Sequence, residues 1–418
     1  MFATIRRKKN ILILFLSLSA ANITAFQGTP WLFPQIILFL FFIWFFLVLA
    51  CFLIVRQERL SDIFLSFTLK SWHIFPFLIF SGLSIFWSVA WQVSLFKWLT
   101  LLSTLIVGVY LGHRYSLTDF FRLVSLFIAG LFLFNVFYVV FLPNFGIMSY
   151  YSIQGAWKGI FWHKNHLGFI VAFSSLFFLI NTILVYVQKQ KTVLIFFGAY
   201  LLSLFVLYKT DSVGALLTMI MVHGCIFVGW AYIRFGHRLN RVYYGLFIGL
   251  SGIIILLFFL NIETVFSVFN RNTTMTGRIP MWSYVFETYL SQKPLLGYGF
   301  NAFWHVTDYR ADIGLAAGYP DPIVIADSGF LDILFGTGYI GLILFLFFYG
   351  DAIWQSFLFA LHGETILDIF PLTLLIFITV ANISWTILLE NESFFFLILV
   401  TTLFSTKFHS TSFNQNFS

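Results

Sequence analysis

From Ile36 to Val55 every side chain is apolar. Coiled into a helix, such a run has no face to offer water, and roughly 20 residues of it cross the ~30 Å hydrocarbon layer of a bilayer. Runs of this kind recur along the chain between short polar breaks. Hydrocarbon cannot satisfy free backbone groups, so only helices and closed barrels span it. Barrel strands alternate in polarity, and these runs do not. The pattern predicts an all-α polytopic membrane protein of about 12 transmembrane helices, near 10–27, 33–55, 72–90, 95–112, 120–142, 165–187, 192–208, 213–233, 242–261, 329–349, 367–388 and 393–406. Residues 1–418 read as a single integral membrane domain without internal repeats, and 262–328 as one large loop within it. Composition agrees: charged residues make up 9% of the chain, against about 25% in soluble domains.

Basic residues orient the spans, because cytoplasmic loops are enriched in Lys and Arg. Arg6, Arg7, Lys8 and Lys9 put the N-terminus inside, and alternation then puts Arg56, Arg59, Lys70, Arg114, Arg122, Lys189, Lys191, Arg234, Arg238, Arg241 and Lys407 inside too. Lys97, Lys158, Lys164, Lys209, Arg271, Arg278, Lys293 and Arg310 fall outside, which makes the 262–328 loop extracytoplasmic. The net charge of +7 follows from basic inner loops facing anionic headgroups and implies no nucleic-acid partner. The basic start, the apolar stretch from Ile11 and the small residues Ala21 and Ala25 also fit a secretory signal peptide. A retained first span is the reading adopted, and the remaining topology is the same either way. Cys51 and Cys225 both fall within predicted spans, which leaves no disulfide framework or cysteine-based metal site.

Most candidate chemistry lies in the large loop: Arg271, Arg278, Glu287, His305, Asp308, Arg310, Asp312, Asp321 and Asp327. Pro280 can open a helix, and Trp282, Val285, Phe286, Tyr289 and Leu290 follow at helical spacing, predicting an amphipathic surface helix that ends before Pro294. Arg278 precedes it in TMTGRIPMW, with Gly277 leaving room for a ligand. A guanidinium grips a phosphate through two parallel hydrogen bonds, which suits a lipid diphosphate. The plain alternative is an arginine snorkelling to headgroups. Asp327, in IADSGFLDIL, opens a span where an ionisable group needs a cavity or a partner; Asp327 or Ser328 equally suits a helix cap. Asp332, a turn further on, makes a polar cavity at that helix end more credible.

Outside the loop, His163, Lys164, Asn165 and His166 precede a span. Two histidines with no nearby third ligand argue against a metal, whereas a basic cluster at a helix start can hold phosphate. Lys209, Thr210, Asp211 and Ser212 form a short outer turn, and Glu390 and Glu392 flank Asn391 in another. Gly297, Gly299, Gly336, Gly338 and Gly341 suit turns and close packing. GYGF follows no strand, so a dinucleotide site is excluded.

SIFWSVAW, PNFGI with GAWKGIFWHKNHLG, TGRIPMW with PLLGYGFNAFW, and SGFLDILFGTGYIGL, taken in order, resemble the O-antigen ligase and polysaccharide polymerase superfamily, nearest its exopolysaccharide branch. The resemblance runs from about Ser84 to Glu392 and implies a metal-independent glycosyltransferase with no cofactor, located in the bacterial inner membrane with its site facing the periplasm. It implies undecaprenyl-diphosphate-linked glycan as partner, alongside membrane lipids and other polysaccharide assembly proteins. Arg278 matches the family's arginine ahead of the surface helix, a proposed diphosphate ligand. Asp327 and Ser328 stand where ligases carry a His–Asn pair, so the ligase's base does not transfer to this chain. The family's basic residue before the eighth span is displaced here, with Lys209 the nearest.

The resulting expectation is a polymerase of lipid-linked repeat units. Asp327 and Arg278 are its catalytic residues, and Arg278, Lys164, His163, Lys209, Arg310 and His305 contact the diphosphate or glycan. Ligation to a lipid A core is the close alternative. A flippase or transporter would favour charges midway through spans or paired broken helices, whereas here charge gathers at one face. A non-enzymatic scaffold would leave the outer charges dispersed.

Overall fold

The structure, a computed structural model, describes residues 72–149, 154–235, 278–318, 322–388 and 394–409. The predicted spans near 10–27, 33–55 and 242–261, together with Arg271, Asp321, Glu390 and Glu392, lie outside the described residues.

Each remaining predicted span coincides with a helix. In chain order these are α1 (Ile74–Leu83, continued as a tighter turn to Trp87), α2 (Trp91–Arg114), α3 (Leu117–Phe141), α4 (Lys164–Val187), α5 (Val193–Thr210) and α6 (Val213–Phe235). Two short helices from the large loop follow, α7 (Arg278–Tyr284) and α8 (Thr307–Ala316), then α9 (Gly329–Leu361), α10 (Phe370–Ser384) and α11 (Phe394–His409). Among the described residues there is no strand, only an isolated bridge between Ile147 and Trp157. Among the described residues seven helices are long and apolar enough to cross a membrane: α2 to α6, α9, and α10 with its preceding turn. This is the architecture of a multi-pass membrane protein.

Helix α4 forms the axis of the bundle, packed along α5 and α6 and against α3. Its burial explains part of the phenylalanine abundance. Phe177 stacks on Phe121 with ring centroids 5.0 Å apart and meets Phe370 edge-on, while Phe173 is ringed by Phe377, Phe394 and Phe395. Such pairs add about 0.5–1.5 kcal/mol each beyond area burial. Helix α11 lies along α2, and Gly108 and Gly112 permit that approach, since a Cβ on either would fall within 2.6 Å of Val400 or Phe404.

Three sequence expectations change. Helix α9 is longer than the predicted 329–349 span and is broken at Gly338, whose φ is +67°. The break arises because the segment Pro294–Gly299 docks there: Tyr298 and Gly299 N–H donate to Phe335 and Gly336 carbonyls, and Tyr339 N–H donates to Pro294 O. A Cβ on Gly338 would lie 2.3 Å from Leu295 O. Second, the surface helix is not one regular helix. It is α-helical to Tyr284, widens to a π-turn over Val285–Tyr289 and tightens over Leu290–Gln292, with Arg278 inside its first turn rather than ahead of it. Third, α10 ends at Ser384 rather than continuing to 388, because the Asn382 side chain accepts the Ile387 and Leu388 N–H groups and turns the chain.

The loop is also less polar than it reads. Met281, Val285, Tyr289, Leu290, Tyr298, Phe303, Trp304, Ile313, Leu334 and Phe335 form a core of their own beneath α7 and α8. Asp312 accepts hydrogen bonds from Tyr284 and Tyr289, each 2.7 Å, and ties α8 to α7.

Candidate active site

The loop core fixes α7, and α7 presents two side chains one turn apart to the segment preceding α9. Arg278 Nε donates to Asp327 Oδ2 at 3.0 Å. Trp282 Nε1 donates to the carbonyl of Ala326 at 2.8 Å. Asp327 has φ +53°, a left-handed conformation that costs a non-glycine residue about 1–2 kcal/mol, least for Asp and Asn. It points the carboxylate at Arg278 rather than at the start of α9. The cap reading therefore fails for its side chain: Ser328 occupies the N-cap position without a capping hydrogen bond, and its hydroxyl reaches the Asn382 carbonyl instead.

The Arg278 and Asp327 side chains are 17% and 27% exposed, so the pair is partly withdrawn from solvent but still reachable. Guanidinium has five donors, and the Nε contact to Asp327 leaves the two-nitrogen outer edge for a ligand. Burial raises the Asp327 carboxyl above its ordinary value, and Arg278 opposes that shift without cancelling it.

His163 belongs to the same neighbourhood. It is the N-cap of α4, where its Nδ1 accepts the Asn165 N–H at 3.2 Å. Its pKa falls to about 4 through burial, then Lys164, then Arg278, so it is neutral at pH 7 and within reach of the Arg278 charge. Accepting at Nδ1 leaves the proton on Nε2. The ring stacks nearly parallel to Trp385, 6.0 Å between centroids, and His166 meets the same indole edge-on at 4.7 Å.

The other sequence candidates go elsewhere. Lys164 Nζ binds the carboxylate of Asp211 at 2.6 Å and also its backbone carbonyl, joining α4 to the end of α5. Lys209 lies over the Phe205 ring, and its carbonyl accepts the Trp157 N–H. His305 and Arg310 form a second basic group with Lys97 of α2: the His305 pKa drops to about 4 through burial, Lys97 and Arg310.

Residues to which sequence reasoning gave no defined role complete the site. Asp332, in the first turn of α9, accepts from Trp304 Nε1 at 2.6 Å and Ala326 N–H at 3.1 Å with one oxygen, and from the Thr386 hydroxyl at 2.5 Å with the other. Only the charge of Asp332 inside an apolar run signalled this; Trp304 fell in the large loop, within PLLGYGFNAFW, and Asn382, Trp385 and Thr386 fell inside the predicted 367–388 span. Among the described residues no group of three His, Cys, Asp or Glu is suited to a metal ion.

Residues 198–346, which include Lys209, Arg278, Asp327 and Asp332, match the family described as O-antigen ligase. The exopolysaccharide production protein ExoQ of Rhizobium meliloti (strain 1021) is 25% identical over 284 residues, covering 65% of this chain and 62% of that protein. The chain thus matches less than two thirds of the relative's length. Together the two matches bear out the resemblance carried by the sequence motifs, to the O-antigen ligase and polysaccharide polymerase superfamily.

Proposed function

We propose that the chain is a glycosyltransferase of the bacterial inner membrane that polymerises lipid-linked polysaccharide repeat units at the periplasmic face. The observation that carries this reading is the Arg278–Asp327 pair: a carboxylate with a raised pKa, held by a guanidinium that still has an outward donor edge. Nucleotide sugars are absent outside the cytoplasmic membrane, so the donor is a glycan already on a lipid diphosphate.

In this scheme a hydroxyl of the acceptor glycan attacks the anomeric carbon of the donor. The new glycosidic C–O bond forms as the bond to the diphosphate breaks, and the configuration inverts. Asp327 takes the hydroxyl proton, and the free nitrogens of Arg278 meet the charge that grows on the departing diphosphate. Neutral His163, donating through Nε2, contacts the glycan beside the Trp385 indole. Lys164 and Lys209 support the site by joining the start of α4 and the segment before it to the end of α5, while His305 and Arg310 form a separate basic group with Lys97. The loop and membrane body act as one domain, with no cofactor or resident metal in any step.

Ligation to an acceptor other than a repeat unit is the second reading, favoured by the family description over 198–346. A polymerase-deficient strain still transfers single repeat units to the final acceptor. A ligase-deficient strain accumulates full-length chains on undecaprenyl diphosphate and leaves the acceptor bare. Electrophoresis of surface glycan beside extracted lipid-linked glycan from the deletion strain separates the two, and long lipid-linked chains there would overturn polymerisation.

A further inference from the structure

We propose that Asp332 is a positioning residue that sets the Arg278–Asp327 pair, acting through the backbone of Ala326. This rests on the proposed reading of that pair as the reacting site. A carboxylate in the first turn of a membrane-spanning helix is retained only with partners, and Asp332 has them from separate segments: Trp304 of the loop, the Ala326 amide ahead of α9 and Thr386 beyond α10. Indole and amide N–H groups can only donate, so an acceptor at this point is what joins them.

Ala326 is held on both sides, through the two successive peptide groups that it joins. Its N–H goes to Asp332 and its carbonyl to Trp282. The next residue is Asp327, in the left-handed conformation at φ +53°. Trp282 thus holds the peptide plane that leads into Asp327, and Asp332 holds the plane before it, which together set where the Asp327 side chain starts. Because Trp282 lies one turn from Arg278 on α7, the carbonyl of the same residue, Ala326, holds the helix that carries the partner of Asp327. Asp332 thereby links the loop, the start of α9 and the end of α10 at one point, while its own hydrogen bonds go to Trp304, Ala326 and Thr386 and to neither member of the pair.

Asparagine can replace the geometry without the charge. Its carbonyl oxygen can accept from Trp304 and Ala326, and its amide can donate to the Thr386 hydroxyl. Alanine leaves all those donors orphaned. Asp332→Ala should therefore lower kcat by roughly tenfold to a hundredfold, with KM within about twofold, while Asp332→Asn stays close to wild type. If Asp332 transferred a proton instead, Asn would be as inactive as Ala, and positioning would be overturned.

A second measurement needs no glycan transfer. Phenylglyoxal modification of Arg278 in the full-length membrane protein, followed by mass spectrometry, reads how well Asp327 holds the guanidinium. The rate should rise several-fold in Asp327→Ala and in Asp332→Ala but not in Asp332→Asn. Unchanged reactivity in Asp332→Ala alongside a rise in Asp327→Ala would overturn the positioning role. Reactivity that rises as expected while transfer stays at wild-type rate would leave positioning intact and refute the catalytic reading of the pair. Should Asp332→Ala fail to accumulate, Trp304→Phe and Thr386→Val each remove one donor and should give the same changes at smaller size.

Discussion

Removing the Arg278 guanidinium is the most demanding trial of the proposed chemistry. The side chain is 17% exposed and its partner carboxylate 27%, so both are partly withdrawn from water and their interactions are weakly screened. Deleting one preorganised donor to a developing oxyanion costs about 10²–10³ in kcat, about 2.7–4 kcal/mol. Arg278 supplies a paired edge and also holds Asp327, so Arg278→Ala should lose at least about 10³ in kcat. Arg278→Lys keeps a point charge, but one ammonium cannot both replace the Nε contact to Asp327 and grip a diphosphate through two parallel bonds. Lysine should recover no more than about tenfold of the loss. The assay is chain elongation in membrane vesicles supplied with lipid-diphosphate-linked repeat units, with product length read on gels and rates normalised to inserted protein. An Arg278→Ala protein inserted at the normal level and elongating within about threefold of wild type would refute the reasoning.

Asp327→Asn keeps an acceptor for Arg278 and tolerates the left-handed backbone but cannot take a proton, so it should insert normally and lose about 10²-fold or more in turnover; undiminished elongation would remove the base. In wild type, elongation should fall as pH drops through the raised Asp327 pKa, because the base must be ionised, and the fall should begin above the ordinary carboxylate value of 3.8. His163 and His305, each held near 4 when folded, are neutral above that, so they add no inflection near 6.5; in the unfolded chain they protonate at 6.5, and the thermal midpoint in detergent should decline as pH falls from about 6.5 to about 4. Gly338→Ala forces a Cβ to within 2.3 Å of Leu295 O at φ +67° and should cost about 2–5 kcal/mol, whereas Gly350→Ala, which meets nothing within 4 Å, should leave the melting temperature unchanged or slightly higher. Membrane-impermeant thiol labelling of intact cells should modify Asp308→Cys from outside and leave Gln188→Cys untouched; outer labelling at Gln188 would overturn the orientation.

The apolar runs by themselves determined the helices. Hydrocarbon admits no unsatisfied backbone, so a stretch such as Leu167–Ile180 has one stable state whatever its neighbours, and its boundaries follow from where polar residues resume. The same holds for Arg278 as a ligand candidate, since a guanidinium beside a glycine at a helix start carries its chemistry locally. Which groups meet was decided only by the tertiary structure. Lys164 and Arg278 are equally basic in sequence, yet Lys164 is occupied by Asp211 and Arg278 faces Asp327. Asp327 and Ser328 could each have capped α9, and neither does so with its side chain, because left-handed Asp327 turns its carboxylate to Arg278 and the Ser328 hydroxyl goes to the Asn382 carbonyl. The break at Gly338 and the hydrogen bonds of Asp332 depend on distant segments closing onto α9, 28 to 54 residues away in the case of Asp332. Periodicity and local propensity reach only a few residues, and hydrogen bonds across such separations exist only once the helices have packed.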